Sequence, residues 1–270
     1  MNKKSPLGQP TVYIETYTPE LLFPIPREIA RDKISLPKHF VFEGEDLWNG
    51  YEISWLQPQG KPEIALAEFY FPCNSTHVIE SKSFKLYLNS FNQSKFESFE
   101  EVQKIIQKDL SIAAEADVTV NLFPPSLLKT TVLTELSGFC LDSLEIETDT
   151  YEVDKTFLRT TPDIVEETLF TNLLKSNCLA TGQPDWGSVQ IHYKGPKIDH
   201  QNLLKYFISF RKHAGFAEHC VEQIYYDIFT ECQPEKLTVY ARYTRRGGLD
   251  INPFRSNFEK NIPNYRNSRQ

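Results

Sequence analysis

The chain lacks the glycine-rich signatures of dinucleotide and phosphate sites. No Gly-x-Gly-x-x-Gly follows a strand-like run, and no Gly-x-x-x-x-Gly-Lys-[Ser/Thr] occurs. A Rossmann or phosphate-loop site is therefore not supported, and any dinucleotide would be held by side chains and short loops. There is no Cys-x-x-Cys pair. The cysteines, Cys73, Cys140, Cys178, Cys220 and Cys232, are odd in number, so neither a disulfide framework nor a tetrahedral zinc cluster is indicated, and a reducing cytoplasm fits best. There is no basic excess. The formal net charge of -7 argues against a nonspecific nucleic-acid binder, while leaving room for a local basic pocket. No run of about 18 apolar residues exists to span a membrane. Met1 to Pro10 has no apolar core, so no secretory signal is expected there.

What is present is ordinary globular material. Of 270 residues, 40% are apolar and 24% charged, enough for one large domain or two of about 130 residues. The first 45 residues are proline-rich (Pro6, Pro10, Pro19, Pro24, Pro26) without sustained period, and are expected to form an irregular arm. Alternation then predicts a strand with Tyr51, Ile53 and Trp55 on one face. A second strand sets Ile64, Leu66 and Glu68 opposite Ala65, Ala67 and Phe69. Ser98 to Glu101 has the spacing of a capping box, opening a helix with Val102, Ile105, Ile106, Leu110 and Ala113 inward. A strand at Val118 to Leu122 follows. The second half repeats the theme. Val189, Ile191 and Tyr193 alternate; Asp199 can cap a helix facing inward through Leu203, Leu204, Phe207 and Ile208. A further helix carries Val221, Ile224, Tyr225, Ile228 and Phe229, and Leu237, Val239, Ala241 and Tyr243 alternate after it. Two related α+β modules are expected, residues 46–150 and 151–270 after the arm of 1–45. Their junction falls in the acidic stretch containing Asp142, Glu145, Glu147, Asp149 and Glu152.

Four constellations could carry chemistry. Cys178 lies in Leu173-Leu174-Lys175-Ser176-Asn177-Cys178-Leu179-Ala180-Thr181-Gly182-Gln183-Pro184-Asp185-Trp186-Gly187. A lone cysteine is usually a small core hydrophobe. Here the polar residues before it and Thr-Gly-Gln-Pro after it read as a helix leaving for a turn, where nearby Lys175 would favour the thiolate. Thiolates add readily to electron-poor carbon. Asp185 reads on its own as a turn or capping aspartate. As a general acid it would need its pKa raised, and Trp186 could exclude the water that keeps it low. Glu80 and Glu218 could each accept two in-plane N–H bonds from a guanine-type ring. For Glu218 the competing reading is a carboxylate favoured at a helix N-terminus by the macrodipole. Ser81, Lys82 and Lys85, together with Arg242-Tyr243-Thr244-Arg245-Arg246-Gly247-Gly248, are phosphate-binding candidates. Taken singly, each basic residue there is more simply a solvated side chain.

Glu80-Ser81-Lys82-Ser83-Phe84-Lys85-Leu86-Tyr87, Leu173 to Cys178, Gln183 to Gly187 and Tyr240 to Pro253 occur in this order, within a similarity running from about residue 45 to 256. Together they resemble the long, two-module form of the NADPH-dependent 7-cyano-7-deazaguanine reductases, the nitrile reductases of queuosine synthesis. The resemblance implies an α+β tunnelling fold shared with GTP cyclohydrolase I, in two tandem modules of antiparallel sheet with helices packed on one face. It also implies a homodimer with no metal; the cytoplasm, no membrane and no directly bound nucleic acid are the expectations from composition given above. By position it implies Cys178 as nucleophile and Asp185 as proton donor. Ile79, Glu80, Ser81 and Glu218 would hold the deazaguanine, and Ser81, Lys82, Arg246 and Gly247 would hold NADPH. Because Glu80 and Glu218 come from different halves, the cavity is expected where modules meet.

One departure stands out. The family usually has His just before the substrate-binding Glu, in a Phe-His-Glu sequence, and this chain has Phe216-Ala217-Glu218. His219 is close in sequence, but two helical steps turn roughly 200°, so it should face away from the position the usual imidazole occupies. Three other readings remain open on the residues alone: a cysteine nitrilase passing the thioimidate to water, a zinc-dependent relative of GTP cyclohydrolase I, and a non-catalytic purine-binding module.

Overall fold

The computed structural model describes residues 13–34, 36–37, 40–130, 133–179 and 181–270. Met1 to Pro10 and Ala180, both read above, lie outside the described residues. The chain forms two compact units. The described residues of Met1–Lys38, Glu45–Val132 and Arg245–Asp250 make the first; those of His39–Gly44, Leu133–Thr244 and Ile251–Gln270 make the second.

The first unit contains β1 (Pro24–Pro26), α1 (Glu28–Arg31), β2 (Gly44–Leu56), β3 (Pro62–Pro72), β4 (His77–Ile79), α2 (Ser81–Asn89), α3 (Phe99–Ala114) and β5 (Thr119–Phe123). β2 and β3 form an antiparallel hairpin, and β5 pairs antiparallel with the other edge of β3. Burial along β3 follows the pleat: Ala65, Ala67, Phe69 and Phe71 are buried while Ile64 is exposed. In β2, Ile53 and Trp55 are buried as the alternation predicted. Tyr51 is only half-buried, because the register shifts between Gly50 and Ile53. Ser98 caps α3 by accepting from the Glu101 N–H at 3.2 Å. The buried row of α3 is Val102, Ile106, Leu110 and Ala114, spaced by four. Ala114 thus takes the inward place expected of Ala113.

The arm is less irregular than its prolines implied. β1 pairs antiparallel with β4, Pro24 opposite Ile79 and Ile25 opposite Val78. Pro is tolerated on such a short edge strand because few of its N–H groups are needed in the ladder. Arg27, buried, donates to Asp46 Oδ2 at 2.5 Å and to Ser75 Oγ at 3.0 Å. The arm also reaches α2, since Phe23 accepts from the Glu80 N–H at 3.0 Å and donates its own N–H to Ser83 Oγ at 3.0 Å.

The second unit contains β6 (Phe139–Cys140), β7 (Thr160–Asn177), β8 (Pro184–Ile198), α4 (His200–Ser209), α5 (Ala217–Cys232), β9 (Lys236–Tyr243) and β10 (Leu249–Ser256), the last starting in the first unit. The sheet order is β10-β9-β8-β7-β6, antiparallel except for the short parallel pair β6–β7. α5 packs on β9 and α4 on β7. Asp199 caps α4 by accepting from Asn202 N–H at 2.8 Å. Leu203, Leu204 and Phe207 are buried there, as are Val221, Ile224, Tyr225 and Ile228 on α5. Each aliphatic side chain so buried contributes on the order of 1.5–3 kcal/mol. α5 also buries Glu222 and Asp227, and neither charge is left alone. Arg255 donates to Glu222 Oε1 from Nε at 3.2 Å and from Nη2 at 2.7 Å. Tyr206 donates to Asp227 Oδ2 at 2.7 Å.

One expectation is overturned. The residues before Cys178 leave a strand, not a helix. Leu174, Ser176 and Cys178 are buried while Leu173 and Leu179 are exposed. That period of two is strand geometry, and it outweighs the helical propensity of the Leu-Leu-Lys run. In both units a long antiparallel hairpin precedes two helices and an alternating strand. The α+β class is the one the periodicities predicted, and the antiparallel sheets are those the family resemblance implied.

Candidate active site

In the second unit, the β7–β8 hairpin delivers Cys178 and Asp185 from opposite arms. Asn177 pairs with Pro184 and Ser176 with Asp185. Beyond the last pair the connection is short and tied. Cys178 N–H donates to the Gln183 carbonyl at 2.8 Å, and Gly182 N–H donates to the Cys178 carbonyl at 3.0 Å. Gly182 has φ +67°, a left-handed conformation that glycine adopts at little cost. Cys178 is 5% exposed and Asp185 half-buried.

A second tie brings the start of α5 to the same place. Asn177 N–H donates to the His213 carbonyl at 2.8 Å, and Gly215 N–H donates to the Asn177 carbonyl at 3.1 Å. The strand residue before Cys178 is thereby bound to the segment that leads into Ala217 and Glu218. Glu218 lies in the first turn of α5 and is 3% exposed. Its charge is favoured there by the N-terminal dipole. Ala217 is half-exposed. His219 is buried, with its ring 5.5 Å from that of Phe216, so it serves the packing at the helix start.

Two supporting roles inferred from sequence are different in the structure. Trp186 does not cover Asp185. It is the next residue along β8, where successive side chains point to opposite faces, and it is 39% exposed beneath the Arg211 guanidinium. The Lys175 ammonium is used to fasten the 211–213 segment, donating to Asn177 Oδ1 at 2.5 Å and to the Arg211 carbonyl at 2.8 Å.

Below this site lies a group that sequence reasoning did not assign. Cys220 is fully buried on α5, and the hydroxyls of Ser176 and Tyr243 face its sulfur. Burial pushes the thiol up to about 12; the two hydroxyls oppose the rise, and the carboxylates of Asp185 and Glu218 add to it. The Tyr243 phenol is likewise raised, first by burial and then by Cys220. Gly187 lets the Tyr243 ring lie across β8: a Cβ there would sit 3.3 Å from it. The signal was weak in sequence, because Cys220 reads only as one apolar position on a buried helix.

The first unit gathers the remaining candidates. Glu80 is buried and N-caps α2, accepting from Lys82 N–H on Oε1 and Ser83 N–H on Oε2, both at 2.8 Å. The carboxylate therefore serves the helix itself, and each oxygen keeps a second acceptor direction. Its pKa is raised by burial, against the two backbone bonds and the charges of Lys82 and Arg246. Ile79 is buried against the arm, and Ser81 and Lys82 are half-buried in the first turn. Arg246 and Gly247 sit on a tight turn. Arg246 N–H donates to the Leu249 carbonyl at 2.8 Å, Leu249 N–H returns to the Arg246 carbonyl at 3.3 Å, and Gly247 and Gly248 have φ of +63° and +77°. The Lys85 side chain lies on this turn: a Cβ on Gly247 would be 2.9 Å from its Cδ. A cavity of about 260 Å³ opens beside it, lined among others by Tyr51, Lys85, Asn89, Gly247 and Gly248. The basic residues of the two sequence clusters, Lys82, Lys85 and Arg246, thus come together. Arg242 does not join them; it belongs to the second unit and is buried, donating to Gln270 Oε1 at 2.7 Å and to Asn264 Oδ1 at 2.8 Å.

Among the described residues no group of three or more His, Cys, Asp or Glu side chains is placed to hold a metal ion, and no helix is long and apolar enough to cross a membrane.

Comparison with known proteins bears on the same residues. A family model described as nitrile reductase, 7-cyano-7-deazaguanine-reductase N-term, matches residues 13–122, and one described as QueF-like protein matches residues 184–262. The chain is 54% identical over 271 residues to the NADPH-dependent 7-cyano-7-deazaguanine reductase of Paraburkholderia phymatum, covering 99% of each. It is 55% identical over 269 residues to the proteins of that name from Burkholderia thailandensis and Burkholderia multivorans, covering 98% of each. A crystal structure of the archaeosine synthase QueF-Like in the apo form aligns with 38% of this chain and 99% of its own, at 14% identity. Its TM-score of 0.31 is too low to carry an argument.

Proposed function

The chain belongs to the NADPH-dependent 7-cyano-7-deazaguanine reductase family, and on that footing we propose that it reduces the nitrile of 7-cyano-7-deazaguanine to the 7-aminomethyl group through a covalent thioimide on Cys178, in queuosine biosynthesis. It is an NADPH-dependent oxidoreductase. The observation that carries the mechanism is the one hairpin that holds Cys178 and Asp185 on facing arms, with Glu218 tied alongside through Asn177.

Cys178 attacks as the thiolate, its sulfur forming a bond to the nitrile carbon as one C–N π bond opens. The nitrogen takes a proton from Asp185, giving the thioimide. A free nitrile is a poor hydride acceptor and a protonated thioimide a good one, so the covalent step is what makes reduction feasible. Two NADPH molecules, bound in turn, would each supply one hydride, the first to the thioimide carbon and the second to the imine left when the C–S bond breaks, with the amine nitrogen taking its proton from solvent. Cys178 leaves as thiolate at that break, the form in which it attacked. Ile79, Glu80, Ser81 and Glu218 hold the deazaguanine, the carboxylates accepting its N–H donors. Ser81, Lys82, Arg246 and Gly247 would hold NADPH. The Gly247–Gly248 turn fits that role, because a side chain on Gly247 would press on Lys85 and close the approach to the backbone N–H groups. The reading further has the enzyme act in the cytoplasm as a homodimer, without binding nucleic acid directly.

The test is direct. With the nitrile and no NADPH, the protein mass should rise by the mass of one substrate, and Cys178→Ala should abolish the rise. With NADPH, absorbance at its band should fall by two equivalents per product. Asp185→Asn should slow both steps, by roughly 10²–10⁴-fold. An adduct that forms while NADPH absorbance stays constant would mean hydrolysis and would sink the reductase reading.

A further inference from the structure

The hairpin β2–β3 carries a bulge whose residues are used elsewhere. Gly50 pairs with Ala67 and Ile53 with Ala65, so Tyr51 and Glu52 together oppose the single residue Leu66. Bulges re-aim side chains at the cost of ladder bonds. Here three contacts converge on Tyr51. Its N–H donates to the Gly248 carbonyl at 2.9 Å, its hydroxyl donates to Asp250 Oδ2 at 2.6 Å, and the Arg245 guanidinium covers its ring at 4.4 Å. Asp250, 1% exposed, also accepts from Asn49 Nδ2 on Oδ1 at 2.7 Å. Glu52 lies against Gly248, where a Cβ would come within 2.5 Å of its Cδ.

The turn that presents Arg246 and Gly247 is thus gripped at residues 245, 248 and 250 by Asn49, Tyr51 and Glu52. A turn with two adjacent glycines has wide conformational freedom, and an anion site built from it needs that freedom removed in advance. A buried carboxylate taking one donor on each oxygen is a costly device for packing alone, because its desolvation must be offset by those bonds. We propose that Tyr51 and Asp250 are positioning residues for the cofactor, holding the Arg246–Gly247 turn in the shape that receives a dinucleotide phosphate. The proposal rests on the reading of Arg246 and Gly247 as NADPH ligands. It makes the β2 bulge part of the reductase machinery through the cofactor turn.

Four variants test it: Tyr51→Phe, Asp250→Asn, Arg245→Ala and Arg246→Ala, each assayed for KM and kcat in NADPH and for adduct formation with the nitrile alone. Tyr51→Phe and Asp250→Asn should each raise KM for NADPH roughly tenfold, the loss expected for one hydrogen bond to a charged group. Adduct formation should keep its normal rate in both, which a general loss of structure would not allow. Arg245→Ala, at an exposed position that leaves the core intact, should raise KM in the same direction. If Arg246→Ala raises KM and the other three do not, the positioning role is wrong and the cofactor site stands. If Arg246→Ala leaves KM unchanged, the cofactor site itself is wrong and the proposal falls with it. A drop in adduct formation parallel to the rise in KM would also overturn the proposal.

Discussion

Asn177 and His213 are joined by a backbone hydrogen bond of 2.8 Å, and through it the strand that ends at Cys178 is fastened to the segment that enters α5 at Ala217. Thirty-six positions apart in the chain, these two residues set Cys178 beside the helix start that carries Glu218. The bond is local in space and invisible in either motif alone.

Glu80 has a capping duty in the structure and a proposed ligand duty, and the two can be separated. As the cap of α2 it accepts from Lys82 and Ser83 N–H; as a substrate ligand it would need both carboxylate oxygens for N–H donors of the ring. Asn is a good N-cap but offers one acceptor oxygen. Glu80→Asn should therefore unfold at nearly the same urea concentration as the parent while binding the nitrile at least tenfold more weakly. Glu80→Ala should lose binding and also about 0.5–2 kcal/mol of stability. Calorimetry of substrate binding beside urea denaturation reads both.

Ala217 opens α5 directly before Glu218 and is half-exposed. Placing an imidazole there restores the residue usual in the family. Ala217→His should raise kcat or lower KM for the nitrile. Unchanged kinetic constants would show that the imidazole is dispensable in this chain.

The buried pair Glu222–Arg255 has both side chains at 0% exposure. Removing Glu222 takes two bonds and a counter-charge from the buried Arg255 guanidinium, so Glu222→Ala should cost about 3–5 kcal/mol, seen as a lowered denaturation midpoint. Replacing both residues by apolar ones of similar size should cost much less. A single substitution as mild as the double one would refute the pairing.

Two thiols, Cys220 and Cys232, are each pushed by burial up to about 12. Below the usual thiol value of 9 both folded and unfolded chains hold these protons, so stability is unaffected. Above it the unfolded chain releases them and the folded chain does not, so stability should fall through the window from 9 toward 12. Each group contributes about 1.4 kcal/mol per pH unit at most. Urea titrations between neutral and strongly alkaline pH should show a shallower decline in Cys220→Ala than in the parent.

Much of the architecture was legible because burial imposes a period. Ala65, Ala67, Phe69 and the row Leu237, Val239, Ala241 announce strands; Val102, Ile106 and Leu110 announce a helix; and Ser98 and Asp199 announce their own caps. Reading failed where short-range preference and long-range pairing disagree. Leu174 to Asn177 has the composition of a helix end, but its neighbours across the sheet, Gly187 to Pro184, make it a strand. The prolines of the arm hid β1, whose partner β4 lies more than fifty residues away. Tyr51 read as a core position, and only the bulge shows that its hydroxyl is spent on Asp250.

By itself the sequence determined the chemistry available: one cysteine in a polar turn, an aspartate seven positions on, two glutamates able to read paired N–H donors, and basic clusters in an acidic chain. These follow from residue type and local spacing, which the chain carries wherever it folds. Tertiary structure alone decided that Lys175 fastens a loop, that Trp186 turns away from Asp185, that Cys220 lies under the site, and that the Gly247–Gly248 turn is clamped from β2. Those outcomes depend on hydrogen bonds and contacts between residues far apart in sequence, and such contacts exist only once the strands have found their register.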